Sequence, residues 1–101
     1  MAVVGCGLDQ GALQEQLERY RRLGEGATVT RSSADELTVR FVAEPDPGLL
    51  RATLAVERGC CSFFALDYAP ADRRLSIAVA DPERRPALDA IEAALRGQSA
   101  V

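Results

Sequence analysis

The sequence contains no histidine, lysine or tryptophan among its 101 residues, and these absences exclude several common kinds of site. Without histidine, neither the Ser–His nor the Cys–His catalytic pair can form, and a metal site must use thiolates and carboxylates. Without lysine, Schiff-base chemistry and the phosphate-loop lysine are excluded. The sequence also has no Cys-x-x-Cys motif, which argues against thioredoxin-type exchange.

The charged residues are acidic in excess, with 12 arginines against 15 Asp and Glu and a net charge of -3. The arginines form no dense cluster, so we expect no nucleic-acid partner. No apolar run is long enough to span a bilayer, and the first seven residues lack the positive start of a secretory signal. We therefore expect no membrane partner and a cytoplasmic location, where thiols stay reduced.

The hydrophobic pattern predicts a leading helix followed by two similar units, each a β-hairpin and a helix. The first helix begins at the N-cap Asp9 and ends at Gly24 or Gly26. Asp-Pro pairs predict the starts of the two later helices, and Gly59 is a candidate end for the first of these. The predicted strands span residues 27–31, 36–43, 63–68 and 75–80.

Two strands alternate apolar and polar residues, which places one face of each against a core. The apolar positions are Leu37, Val39, Phe41, Leu75, Ile77 and Val79. Half-polar antiparallel strands need a cover on one face only. The sequence therefore predicts one α+β domain over residues 1–101, in which a leading helix and duplicated ββα units form a four-stranded antiparallel sheet with its helices on one face.

The strongest chemical signal is the adjacent pair Cys60 and Cys61, with a third cysteine at Cys6. An odd number of cysteines fits a reduced metal-binding or redox set better than a disulfide framework. Thiolates prefer thiophilic ions such as Hg(II), Cu(I), As(III) or Zn(II), so Cys6, Cys60 and Cys61 are candidate metal ligands. The alternative is that the cysteines are small core residues. Shared ligation by the pair requires an irregular turn after Gly59, because adjacent helical side chains diverge by about 100°.

Two further residues are candidates for support of the cysteine site. Glu57 precedes Cys60 by three positions and Cys61 by four, which places it on a neighbouring part of the helix face. It is either a solvated helix-end residue beside Arg58 or a buried carboxylate that needs a partner, such as a backbone donor, Arg40 or the thiols. Phe63 is a candidate wall of the site, since Phe63 and its neighbour point to opposite faces of a strand.

The order of these motifs resembles a family of small uncharacterised bacterial proteins, and it is similar to C-terminal segments of some regulators of the mercury-resistance type. The motifs are an N-terminal Cys-x-Leu, a Leu-rich helix, Leu-x-Val-x-Phe and Glu-x-x-Cys-Cys-x-Phe. They match at Cys6, Leu8, Leu37, Val39, Phe41, Glu57, Cys60, Cys61 and Phe63. Family members carry proline after the paired cysteines, whereas this chain has Ser62. The resemblance implies an association with mercury and with thiophilic metals.

Three hypotheses follow from the sequence, and the residues leave all three open. The first is a small thiol protein that binds a soft heavy-metal ion through Cys60, Cys61 and Cys6. The second is an enzyme similar to organomercurial lyases, in which thiolates hold the metal and Glu57 supplies the proton. The third is a ligand-binding module or homodimer with structural cysteines and an interface on the open face of the sheet.

Overall fold

A computed structural model describes residues 10–60 and 64–97, except for the side chain of Cys60. The chain begins with a helix and continues as two hairpin-helix units. The elements are α1 (Gln10–Gly24), β1 (Ala27–Ser33), β2 (Glu36–Phe41), α2 (Pro47–Cys60), β3 (Phe64–Ala69), β4 (Arg74–Val79), a short 3₁₀ helix (Pro82–Arg84) and α3 (Arg85–Leu95). The predicted α+β fold with duplicated ββα units is confirmed.

The four strands form one antiparallel sheet in the order β1-β2-β4-β3. The two hairpins lie side by side, and β2 pairs with β4 through Leu37 opposite Ile77 and Val39 opposite Leu75. All six predicted apolar strand residues are buried. Because side chains alternate along a strand, the helices cover this apolar face, while residues such as Thr38, Arg40 and Ser76 lie on the other.

Local hydrogen bonds explain where the later helices begin. Asp46 Oδ1 accepts from the backbone nitrogen of Gly48 at 2.9 Å, and Asp81 Oδ1 accepts from that of Glu83 at 3.0 Å. A proline follows each aspartate, where its fixed φ suits the first helical turn. The two Asp-Pro predictions are thus confirmed as helix starts, although the second opens the 3₁₀ helix that leads into α3.

Several predicted boundaries differ from the structure, among them the end of β2, which lies at Phe41 and not at residue 43. β1 continues to Ser33 with an irregular register near its end, which shortens the predicted four-residue turn to Ala34 and Asp35. Helix α2 passes through Gly59 and reaches Cys60, so Gly59 is not its end. Glycine has no side chain to enforce a stop, and at Gly59 it keeps the helical conformation.

Ion pairs join the helical layer to the hairpins. Arg31 of β1 donates to Asp89 and to Glu92 of α3, each at 2.7 Å, and Arg85 at the start of α3 pairs with Asp35. These contacts hold α3 across the first hairpin. Among residues 10–60 and 64–97, no helix has the length and apolar character needed to cross a membrane.

We expect replacement of Val39 or Ile77 by alanine to reduce the free energy of unfolding by about 1 to 4 kcal/mol. Both side chains are fully buried at the centre of the sheet, so truncation loses burial and leaves a cavity. The control is Ser76→Ala on the opposite face of β4, which should change stability by less than about 0.5 kcal/mol. Chemical denaturation measures all three, and equal midpoints would mean that the strand faces are reversed.

Candidate functional site

A buried carboxylate lies between the first two helices. Glu57 of α2 is only 1% exposed, and its Oε1 accepts a hydrogen bond from Gln16 Nε2 of α1 at 3.1 Å. The prediction of a solvated Glu57 beside Arg58 is therefore wrong. Arg40, one of the partners suggested for a buried Glu57, lies exposed on the opposite face of the sheet. A neutral amide takes its place.

Gln16 is itself buried and held at three points. Its Nε2 donates to Glu57 and also to the backbone oxygen of Thr53, at 3.0 Å. Its Oε1 accepts from Arg19 Nη1 at 2.9 Å. Because arginine can only donate, the amide oxygen must face Arg19 and the amide nitrogen must face the two acceptors. The orientation of Gln16 is thus fixed by chemistry.

Tyr20 is the second α1 residue beside Glu57, and it is fully buried. Within the part of the chain that the structure describes, Tyr20 Oη and Glu57 Oε2 have no hydrogen-bond partner. A buried polar atom without a partner is uncommon, because leaving it unsatisfied carries a desolvation penalty. The two side chains lie close enough for the Tyr20 hydroxyl to act on the Glu57 carboxylate, so the two atoms are candidate partners for each other.

Burial changes the proton affinity of both groups. It raises the pKa of the Glu57 carboxyl, while Gln16 and then Tyr20 act in the opposite sense by stabilising the charged form. Burial, and next the charge of Glu57, raise the pKa of the Tyr20 hydroxyl well above its usual range. Glu57 is thus a stronger base than an exposed glutamate, and Tyr20 stays protonated.

Helix α2 reaches the first residue of the cysteine pair. Cys60 is the last residue of the helix, three positions after Glu57. Cys6, Cys61 and Phe63 lie outside the described residues, as does the side chain of Cys60, so these predicted site residues stay predictions. The turn needed for both thiols to converge can begin only after Cys60.

Helices α1 and α2 run in opposite directions, so the end of each lies beside the start of the other. Leu23 near the end of α1 lines a surface pocket with Asp46 and Leu49 at the start of α2. Gln16 in the middle of α1 contacts Glu57 near the end of α2. The helices are therefore antiparallel, and the N-terminal end of α1 points toward the end of α2 that carries the cysteines.

Other possible sites among the described residues are weak. Residues 10–60 and 64–97 contain no group of three or more Cys, Asp or Glu side chains arranged to hold a metal ion. The pocket beside Leu23 has a volume of about 410 Å³ and lies at the start of α2. A helix rises about 1.5 Å per residue, so this pocket is roughly 20 Å from Cys60.

The sequence patterns identified neither Gln16 nor Tyr20 as part of a site. A signal was present, because Gln16 follows Leu13 by three positions and precedes Tyr20 by four, on the same face of α1. A polar residue within a buried stripe needs a buried partner. The opposing helix offers Glu57 at an equivalent position on its own apolar stripe.

Comparison of the chain with known proteins identified no relative. No protein-family model, curated protein or solved structure matches the chain. The resemblance to the bacterial family and to mercury-resistance-type regulators therefore stays a prediction.

Proposed function

We propose that this chain is a small thiol protein that binds a thiophilic metal ion through Cys60 and Cys61, with Cys6 as a candidate third ligand. Hg(II), Cu(I), As(III) and Zn(II) are the ions that such a donor set prefers. Binding requires thiols that are reduced, as they are in the cytoplasm. Glu57 is the carboxylate that supports the site.

The observation that carries this proposal is the buried Glu57 carboxyl, which Gln16 holds through one oxygen and which lies beside the Tyr20 hydroxyl. A cysteine must lose its proton to become a metal ligand, so metal binding releases protons. Glu57 lies one helical turn before Cys60, and its burial makes it a better proton acceptor than an exposed carboxylate. It is suited to receive a proton as a thiol ionises.

The helix end gives the proposed site a charge preference. The C-terminal end of a helix carries partial negative charge, which opposes a thiolate and favours a cation. Because α2 reaches Cys60, thiols at this end are expected to stay protonated until a metal ion arrives. Such a site resists ordinary thiol reactions while it retains affinity for soft cations.

The antiparallel arrangement of α1 and α2 supports Cys6 as the third ligand. Cys6 precedes Gln10, the first residue of α1, by four positions. The N-terminal end of α1 points toward the end of α2, so a chain leaving it needs little length to reach the cysteine pair. Three thiolates would also suit As(III) and Hg(II).

The same carboxyl group favours a second candidate function, cleavage of a carbon–mercury bond. Two thiolates would hold the mercury of an organomercurial cation, and protonated Glu57 would deliver its proton to the carbon. The electron pair of the carbon–mercury bond would go to that carbon, which leaves as a hydrocarbon, while Hg(II) stays with the thiolates. Burial raises the pKa of the Glu57 carboxyl and so favours its protonated form, which is the form that this step needs.

We expect native mass spectrometry of the reduced protein to detect one bound Hg(II) or As(III) ion per chain. Serine in place of both Cys60 and Cys61 should abolish this adduct, because a hydroxyl is a poor ligand for soft ions. Cys6→Ser should weaken As(III) binding more than Hg(II) binding, since Hg(II) accepts two thiolates. Undiminished binding after all three cysteines are replaced would refute the proposal.

A further inference from the structure

We infer that the chain has an anion site where the turn between β3 and β4 meets the end of β2, and that this site takes the phosphate group of a small organic phosphate. The site is a surface cavity of about 310 Å³, lined by Thr28, Arg40, Phe41, Val42, Asp72 and Arg73. Its residues come from both hairpins and include no cysteine, so the site is independent of the proposed metal binding.

Three arginines from separate hairpins lie at or beside this cavity. Arg40 and Arg73 line it, and Arg74 lies directly opposite Arg40 in the register of β2 and β4. Side chains at opposite positions of an antiparallel pair project from the same face, and like charges placed there repel each other. Within residues 10–60 and 64–97 the Arg40 guanidinium has no ion pair. An anion bound between these groups would remove the repulsion.

Arg73 adopts a backbone conformation that is costly for an arginine. Its φ is 49°, in the left-handed region where glycine is the usual residue. Its backbone oxygen accepts from the Phe41 nitrogen at 2.8 Å, and its Nε donates to the Phe41 oxygen at 3.3 Å. These two bonds hold the guanidinium at the end of β2, where its terminal nitrogens can donate to a ligand. Backbone strain at a residue that lines a cavity is typical of a binding site.

The charges around the cavity favour a doubly charged anion. Three arginines against one carboxylate, that of Asp72, leave an excess of two positive charges. A phosphate monoester carries about 1.5 to 2 negative charges at neutral pH, and guanidinium groups bind its oxygens through paired N–H donors. Thr28 adds a hydroxyl donor. Val42 is 70% exposed at the same cavity, so it offers an apolar contact to the organic part of the ligand.

The test titrates the reduced, metal-free chain with phenyl phosphate, inorganic phosphate and benzoate at neutral pH and constant ionic strength. The arginine Nε–H signals are followed by NMR in the wild type, Arg40→Gln, Arg73→Gly and the control Arg51→Gln. The control removes the same charge from an exposed position of α2. Glycine suits the left-handed backbone at position 73, so Arg73→Gly removes the guanidinium while it retains the turn.

We expect phenyl phosphate to shift the signals of Arg40 and Arg73 in the wild type. Its affinity should fall on the order of 10-fold in Arg40→Gln and in Arg73→Gly, and it should not change in Arg51→Gln. Inorganic phosphate should bind more weakly because it makes no contact with Val42, and benzoate because it carries a single charge. The inference would be overturned by a wild-type chain that shows no shift, by unchanged affinity in Arg40→Gln or Arg73→Gly, or by benzoate that binds as tightly as phenyl phosphate.

Discussion

Replacing Glu57 by glutamine is expected to stabilise the metal-free protein at neutral pH while it weakens the proposed metal site. Glutamine has the shape of the protonated carboxyl group and no charge to bury. Its oxygen can accept from Gln16 as Glu57 does, and its NH₂ group can donate to Tyr20 Oη, which has no partner among the described residues. The substitution therefore removes an ionisation penalty and satisfies two buried atoms.

The pH dependence of stability follows from the same burial. The pKa of Glu57 is raised in the folded state above its usual value of 4.5, mainly by desolvation. Its contribution to stability is thus complete below the unfolded pKa and is lost as pH rises through the folded pKa. Between the two values the free energy of unfolding falls by at most about 1.4 kcal/mol per pH unit. Glu57→Gln should abolish this slope.

Denaturant unfolding of the wild type and Glu57→Gln across pH 4 to 8 measures the difference, with Glu44→Gln as the control. Glu44 is exposed and lies away from the Gln16–Glu57 contact, so its replacement should leave the pH profile nearly unchanged. A profile for Glu57→Gln that parallels the wild type would show that Glu57 ionises as freely in the folded chain as in the unfolded one.

The same variant separates binding from catalysis. If Glu57 accepts protons from the thiols, glutamine should weaken metal affinity on the order of 10- to 100-fold. If it donates the proton that cleaves a carbon–mercury bond, binding of an organomercurial should persist while turnover is lost. Unchanged affinity and turnover would leave Glu57 with a purely structural role.

The parts of this fold that the sequence predicted are those determined by local rules. Alternation of apolar residues assigned the inner faces of β2 and β4, and each Asp-Pro pair marked a helix start, because both signals act within a few residues. The sheet has one apolar face, so the three helices were expected to pack on that face as a second layer.

The polar cluster could not be predicted in the same way. Glu57 and its partner Gln16 are 41 residues apart, and only the packing of α1 on α2 brings them together. Glutamate is exposed in most proteins, so the general tendency favoured the wrong interpretation. The apolar neighbours of Glu57 on its helix were the contrary signal, but they did not identify the amide that satisfies it.

The sequence also could not show which glycines end a helix, because that depends on how the helices pack. Gly24 and Gly59 both looked like helix ends, yet the structure gives them different roles. Gly24 is the last residue of α1, and it lies where α3 packs most closely. Gly59 lies inside the last turn of α2, with open space around it.

Replacing Gly24 by alanine is accordingly expected to destabilise the fold by about 3 kcal/mol. A Cβ built at this position would lie 1.8 Å from the backbone oxygen of Leu95 and 2.6 Å from its carbonyl carbon. Backbone atoms cannot rotate away as a side chain can, so α1 and α3 must separate. The apolar contact that Leu95 makes in the core would be lost in part.

Gly59→Ala is the matched control, and it should act in the opposite direction. Among the described residues, no atom outside its own stretch of helix lies within 4 Å of the added Cβ, and alanine favours the helical state over glycine by up to about 1 kcal/mol. Thermal unfolding should therefore show a midpoint roughly 10 to 20 °C lower for Gly24→Ala and a few degrees higher for Gly59→Ala. Equal stability of Gly24→Ala and the wild type would contradict the close approach of α1 to α3. A loss of stability in Gly59→Ala would contradict the helical conformation of Gly59 inside the last turn of α2.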